Sequence, residues 1–173
     1  MTVTQKQFRE ALGRFATGVT IITVALDGGE VHGMTANAFS SVSLDPLLVL
    51  VCVHQDARTH GMLYKKKRFG INVLAENQQQ LSEYCARATE QQEPSEANAR
   101  FTTTLHGTPV LEGALAYLEC RLQSATAAGD HTIFIAEVEE FMVRQGEPLL
   151  FFSGKYRKLG PVLGGAEEKS KNI

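Results

Sequence analysis

Cysteine is scarce in this sequence, and the way it is spaced excludes several chemistries. Cys52, Cys85 and Cys120 are spread over 173 residues. No C-x-x-C pair exists, so neither a disulfide framework nor a zinc cluster is written here. The three read as reduced, buried thiols of a cytosolic protein. Histidines His32, His54, His60, His106 and His131 lack the spacing of a ligand set, so no metal site is expected. A membrane-length apolar run is also absent. The longest, residues 46–53, is far too short to span a bilayer. The opening MTVTQKQFREALGRF carries acid as well as base, unlike a secretory signal. Nor is there a cationic surplus: 17 Lys and Arg against 19 Asp and Glu give a net charge of -2. That balance argues against nucleic acid as a partner. The familiar signatures G-x-G-x-x-G, G-x-x-x-x-G-K-[ST], G-x-S-x-G and H-E-x-x-H are all missing. Cys52 and Cys120 sit inside strand patterns, where an inert thiol is expected rather than a nucleophile.

What remains is an ordinary soluble composition, 43% hydrophobic and 21% charged, in a chain long enough for one self-sufficient core. Residues 4–17 carry Phe8, Ala11, Leu12 and Phe15 on one helical stripe, with Thr4 and Gln7 at capping-box spacing and Gly18 as a stop. Residues 19–26 are rich in β-branched side chains and end at Asp27-Gly28-Gly29, a hairpin signal. Residues 31–39 form a second strand candidate. Residues 47–53 are apolar throughout, which predicts a strand buried on both faces. Asp56 is placed to cap a short helix through Met62, Leu63 and Tyr64, ending in the cations 65–68. Residues 69–74 read as a strand and 77–89 as a helix with Leu81, Tyr84, Cys85 and Ala88 inward. Residues 91–100 read as a polar surface loop. In 115–122, Leu118, Cys120 and Leu122 alternate with outward Glu119, Arg121 and Gln123. A turn at Gly129-Asp130 returns the chain along 132–143, and 149–152 gives a last short strand. Strands come in hairpins rather than alternating with helices. The expectation is a mainly β fold, a closed or nearly closed antiparallel barrel with peripheral helices.

Three segments could carry chemistry. Residues 33–46, GMTANAFSSVSLDP, are small or hydroxyl-bearing and lie between apolar strands. Small residues admit a ligand close to the backbone, and hydroxyls with free amides can hold an anion such as phosphate. The same run also reads as a plain polar turn, and spacing does not decide between the two. Gly129-Asp130-His131 can fix an imidazole tautomer or simply shape the turn. Tyr156-Arg157, after Phe151, Phe152 and Gly154, can stack on a ring and pair with phosphate, or be a surface pair.

Taken in order and spacing, these segments and their flanks, including RTHGMLYKKKRFGINVL and PLLFFSGKYRKL, resemble the short-chain flavin reductases. These are the reductase components of two-component flavin-dependent monooxygenases. The resemblance spans residues 8–159. One departure stands at Leu47, where many members carry a second proline. The resemblance implies a split antiparallel β-barrel of the FMN-binding, Greek-key type and a homodimer. It implies reduction of FMN or FAD by NADH or NADPH and release of reduced flavin to a partner monooxygenase. No general base is required, because the cofactor carries the hydride chemistry and the protein positions the reactants. On this resemblance Met34, Thr35, Ala36 and Asn37 line the ring and ribityl side, and Ser40 and Ser41 hold the ribityl or phosphate end. The backbone at Cys52 and Val53 faces the pyrimidine edge, Arg58 and Thr59 lie at the phosphate side, and Asn72 lies on the adjacent strand. Gly129, Asp130 and His131 contact the nicotinamide, completed by Tyr156 and Arg157. The alternatives are a non-catalytic FMN-binding electron-transfer or flavin-storage protein, a reductase of a corrin or metal complex, and a structural dimerisation module. Residues 1–163 are expected to form one domain and 164–173 a flexible tail, in a cytoplasmic protein.

Overall fold

The computed structural model describes residues 3–87 and 99–163. Most of the expected loop 91–100, the end of the helix expected through Thr89, and the expected tail 164–173 lie outside the described residues.

Helix α1 (Gln5–Leu12) begins at the expected capping box, with Gln7 N donating to the Thr4 hydroxyl and Thr4 N to the Gln7 side chain. Short strand β1 (Thr17–Gly18) follows. Then come β2 (Thr20–Ala25), β3 (Val31–Ala36), β4 (Phe39–Leu44) and β5 (Leu47–His54). Helix α2 (Arg58–Lys66) leads to β6 (Arg68–Val73), and a 3-10 turn (Glu76–Gln78) to α3 (Gln79–Cys85). The chain continues with β7 (Phe101–Thr103), β8 (Pro109–Leu111), the long pair β9 (Ala116–Ala128) and β10 (His131–Val143), and the terminal hairpin β11 (Leu150–Phe152) and β12 (Lys155–Arg157).

Seven strands form one antiparallel sheet in the order β3-β2-β6-β9-β10-β5-β4. Its outer edges, β3 and β4, do not pair. Yet Ala36 ends β3 and Phe39 begins β4, so these ends lie within about 11 Å of each other. A seven-stranded sheet can meet that condition only by curling, which gives the expected split barrel, open between β3 and β4. Inside the curl pack Ile22, Val51, Phe69, Ile71 and Phe134, with Leu63 of α2 inserted among them. A second cluster on the other side of β2 joins Ile21, Leu74 and Leu111 to Cys85 of α3.

Several expectations are corrected. Helix α1 stops at Leu12, because Gly13 caps it and Arg14 and Phe15 close single turns. Gly18 is in a strand, not a helix stop. The second strand ends at Ala36, and 39–44 form a separate strand whose hydroxyl-rich sequence hid it. Strand β5 is buried on one face only: Val49, Val51 and Val53 face the interior, whereas Leu48, Leu50 and Cys52 are half-buried. Cys52 is therefore not a buried thiol. Asp56 does not cap α2, whose N-cap is Ala57 without a side-chain bond, and Arg68 belongs to β6. Glu119 is fully buried rather than outward. Thr108 donates to its carboxylate at 2.7 Å and Arg68 at 3.1 Å, with His106 Nδ1 at 3.3 Å. The loop carrying His106 and Thr108 covers what the alternation of β9 marks as a solvent face.

Candidate functional site

A groove of about 580 Å³ lies on the outer face of β4 and β5. Its position follows from the alternation of β5. With Val49, Val51 and Val53 turned into the barrel, Leu50 and Cys52 face out and form the floor. Strand β4 sets Ser40 opposite Leu50, and the link between β3 and β4 adds Asn37 and Ala38. Cys52 N donates to Ala38 O at 3.0 Å, which fixes that link against β5. The far wall is built from Arg9 and Leu12 of α1, Phe15 just after it, Thr17 on β1, and Phe151, Ser153 and Gly154. Pairing of Thr17 with Phe151 and donation from Ser153 N to Gly13 O hold these pieces together. Ser153 and Gly154 both have positive φ, 48° and 75°, which turns β11 sharply into β12.

The groove is the size of a cofactor site and has a cofactor site's composition. Leu50, Cys52, Phe15 and Phe151 offer apolar surface, while Asn37, Ser40 and Ser153 offer hydrogen-bonding groups and Arg9 a cation. Thr17 Oγ1, in the same wall, is a buried side-chain oxygen without a hydrogen-bond partner. A planar, mostly apolar ring with a polar chain and a phosphate fits this donor set.

Of the residues expected at a flavin, the groove gathers Asn37, Ser40 and Cys52. The others lie elsewhere. Ser41 pairs with Val49 and so faces the other side of β4. Met34 packs against the barrel core, the Thr35 hydroxyl donates to Ser82 O, and Ala36 O accepts from the Thr20 hydroxyl. The Val53 side chain is in the core. Thr59 is buried beneath α2, its hydroxyl 2.7 Å from His32 Nε2, and Arg58 opens that helix. Burial, reinforced by Arg58, lowers the His32 pKa. Asn72 is fully buried and fully used. It donates to Ile21 O and the Thr23 hydroxyl and accepts from Leu111 N, tying β6 to β2 and β8. Arg9, Phe15, Thr17 and Leu50 also line the groove and are not among the binding residues expected from the sequence. Their only signal was the apolar stripe of α1 and the alternation of β5.

The Gly129–Asp130–His131 turn stands beside the groove. His131 pairs with His54, and Ile133 with Cys52. His131 therefore shares the outer face with Cys52, one strand across and two residues along, about 8 Å away between Cα atoms. His131 Nδ1 lies 2.7 Å from Asp130 Oδ1, and this hydrogen bond is the main reason the Asp130 carboxyl titrates below the usual range. Tyr156 is turned away. Its ring packs edge-on against Phe151, and its hydroxyl is 2.9 Å from Ser82 Oγ. Arg157 is exposed. Among the described residues no hydrogen bond, ion pair or ring contact links either to the His131 turn.

Residues 12–160 match the family model of the flavin reductase like domain. An NADH-dependent flavin reductase of a Rhodococcus species is 45% identical over 159 residues, covering 91% of this chain and 88% of that protein. The reductase subunit of a flavin-dependent monooxygenase of Rhodococcus jostii is 38% identical over 157 residues, covering 90% and 78%. The solved structure of a Streptomyces globisporus NADH:FAD oxidoreductase, in complex with NAD and FAD fragments, superposes with a TM-score of 0.83 at 37% identity, covering 93% and 98%. With the open barrel, the outer groove and the His131 turn in place, the chain belongs to the flavin reductase-like family.

Proposed function

We propose that this protein is an NADH-dependent flavin reductase that supplies reduced FMN or FAD to a partner monooxygenase. The observation that carries this reading is the placement of the groove floor at Cys52 and the His131 turn side by side on one face of the sheet. A flavin bound there supplies the hydride acceptor. The protein's own part is to hold and orient. Leu50, Cys52 and Phe151 offer apolar contact, Asn37 and Ser40 offer hydrogen bonds, and Arg9 offers charge to a phosphate. The Cys52 amide is donated to Ala38, so its backbone contributes shape rather than a free donor. His131, held as the Nδ1–H tautomer by Asp130, presents Nε2 as an acceptor for a carboxamide N–H of the nicotinamide.

The reading extends to assembly. Helix α1 buries none of its residues, and Phe8, Leu12 and Phe15 remain 57%, 57% and 77% exposed. Leu12 and Phe15 border the groove but Phe8 does not, and a symmetric homodimer would cover the stripe and close the groove's outer wall. No described helix is long and apolar enough to cross a membrane, and the reading places the protein in the cytoplasm.

Steady-state NADH and NADPH oxidation with FMN and with FAD tests the function. Oxidation that rises with added free flavin supports it. Tight flavin binding without nicotinamide oxidation would leave a flavin-storage protein on the same barrel.

A further inference from the structure

We propose that His54 is a positioning residue for hydride transfer, acting through Asp130 on His131. The proposal rests on the reading of the His131 turn as the nicotinamide side. Gln55, just past the end of β5, ties down three carbonyls of that turn. Gln55 N donates to Asp130 O at 3.0 Å, and Gln55 Nε2 donates to Gly129 O at 3.2 Å and His131 O at 3.3 Å. The His54 and His131 rings meet edge to face with centroids 5.1 Å apart.

The hydrogen bonds fix both tautomers. Asp56 N donates to His54 Nδ1 at 3.1 Å, so Nδ1 is an acceptor and the proton sits on Nε2. His54 Nε2 faces Asp130 Oδ2 at 3.8 Å. The other oxygen of the same carboxylate accepts from His131 Nδ1. Asp130 thus lies between two imidazoles, hydrogen-bonded to His131 and in a longer electrostatic contact with His54 Nε2–H that favours this orientation of the carboxylate. Without His54 the exposed carboxylate is free to rotate into water, and His131 loses both its edge-on neighbour and a fixed Nδ1 partner. In this proposal His54 acts through Asp130 and His131 rather than on a reacting atom. Its contribution is the aim of His131 Nε2.

The test compares His54→Ala, His54→Gln, His131→Ala and the double variant His54→Ala/His131→Ala in the flavin-loaded protein. Four readouts are kcat and KM for NADH, flavin affinity by titration, and the thermal midpoint. We expect His54→Ala to lower kcat/KM for NADH about tenfold, short of the roughly 10²-fold that an ångström of misplacement costs. Flavin affinity and melting should stay unchanged. His54→Gln, whose amide N–H can replace Nε2–H, should restore most of the loss. In the His131→Ala background, His54→Ala should cost nothing further. An impaired His131→Ala beside an unimpaired His54→Ala overturns the proposal alone. So does a full, additive loss in the double variant. A His131→Ala protein with wild-type kinetics overturns the reading of the turn, and the proposal with it.

Discussion

Cys52 and His131 lie on the same outer face of the sheet, on adjacent strands and two residues out of register. One is in the floor of the groove and the other heads the turn at its end. A ligand lying on β5 would meet both. On the proposed reading, a flavin over the groove floor and a nicotinamide at the turn would come within reach of one hydride transfer, which needs donor and acceptor about 3–3.5 Å apart.

The thiols report on the groove. Burial pushes the Cys85 thiol to about 11 and, with Glu119 and Glu139 adding to it, the Cys120 thiol to about 12. Both are buried, whereas Cys52 is not. An aromatic disulfide reagent at mildly alkaline pH should therefore titrate one thiol in the native protein and three in denaturant. Added flavin should slow the native reaction. Equal reactivity with and without flavin would place the flavin elsewhere.

Ser40 faces the groove and Ser41 faces away. Ser40→Ala removes a neutral donor worth about 0.5–1.5 kcal/mol, which corresponds to a roughly two- to tenfold weaker flavin Kd. Ser41→Ala should leave the titration unchanged. Equal losses in the two variants would mean that strand β4 does not present one face to the ligand.

The apolar stripe of α1 predicts assembly. Light scattering at micromolar concentration should give twice the 18.9 kDa chain mass. Replacing Phe8 and Leu12 together with serine should yield monomer of unchanged secondary structure, since neither residue is buried within the chain. A monomeric wild type would contradict the dimer.

Glu119 sets an acid limit on stability. Burial pushes its carboxyl up, but hydrogen bonds from Thr108, Thr104 and His106 outweigh burial and leave it below the ordinary value. A group depressed in the folded state contributes stability above its unfolded pKa of about 4.3, and that contribution fades as pH falls through the lower folded value. Glu119→Gln should cost about 1–3 kcal/mol at neutral pH. Its difference in melting temperature from wild type should shrink on going to about pH 3. A constant difference across that range would exclude the ionised carboxylate as the source.

The main elements were legible where one physical signal dominated. The stripe and capping box of α1, the β-branched run of β2 and the turn of the long β9–β10 hairpin each declare themselves locally. The groove was half legible. Asn37, Ser40 and Cys52 lie in recognisable segments, but Arg9, Phe15 and Thr17 reach the groove through contacts between the chain ends, the pairing of β1 with β11 and the Ser153 N–Gly13 O hydrogen bond. Alternation sets Glu119 on an outward face but does not show what covers it, and a loop from before β8 closes over that face. The family resemblance puts Asn72 and Thr59 at the ligand. Their polar atoms instead serve buried hydrogen bonds between strands and helix, a demand that only the packed fold reveals.

The most direct measurement is anaerobic rapid mixing of the flavin-loaded protein with NADH, following the visible absorbance of oxidised flavin. The expected result is a fast, stoichiometric bleach, far above that of free flavin with NADH, and slowed by His131→Ala without loss of flavin binding. A bound flavin that NADH bleaches no faster than flavin in buffer would contradict it.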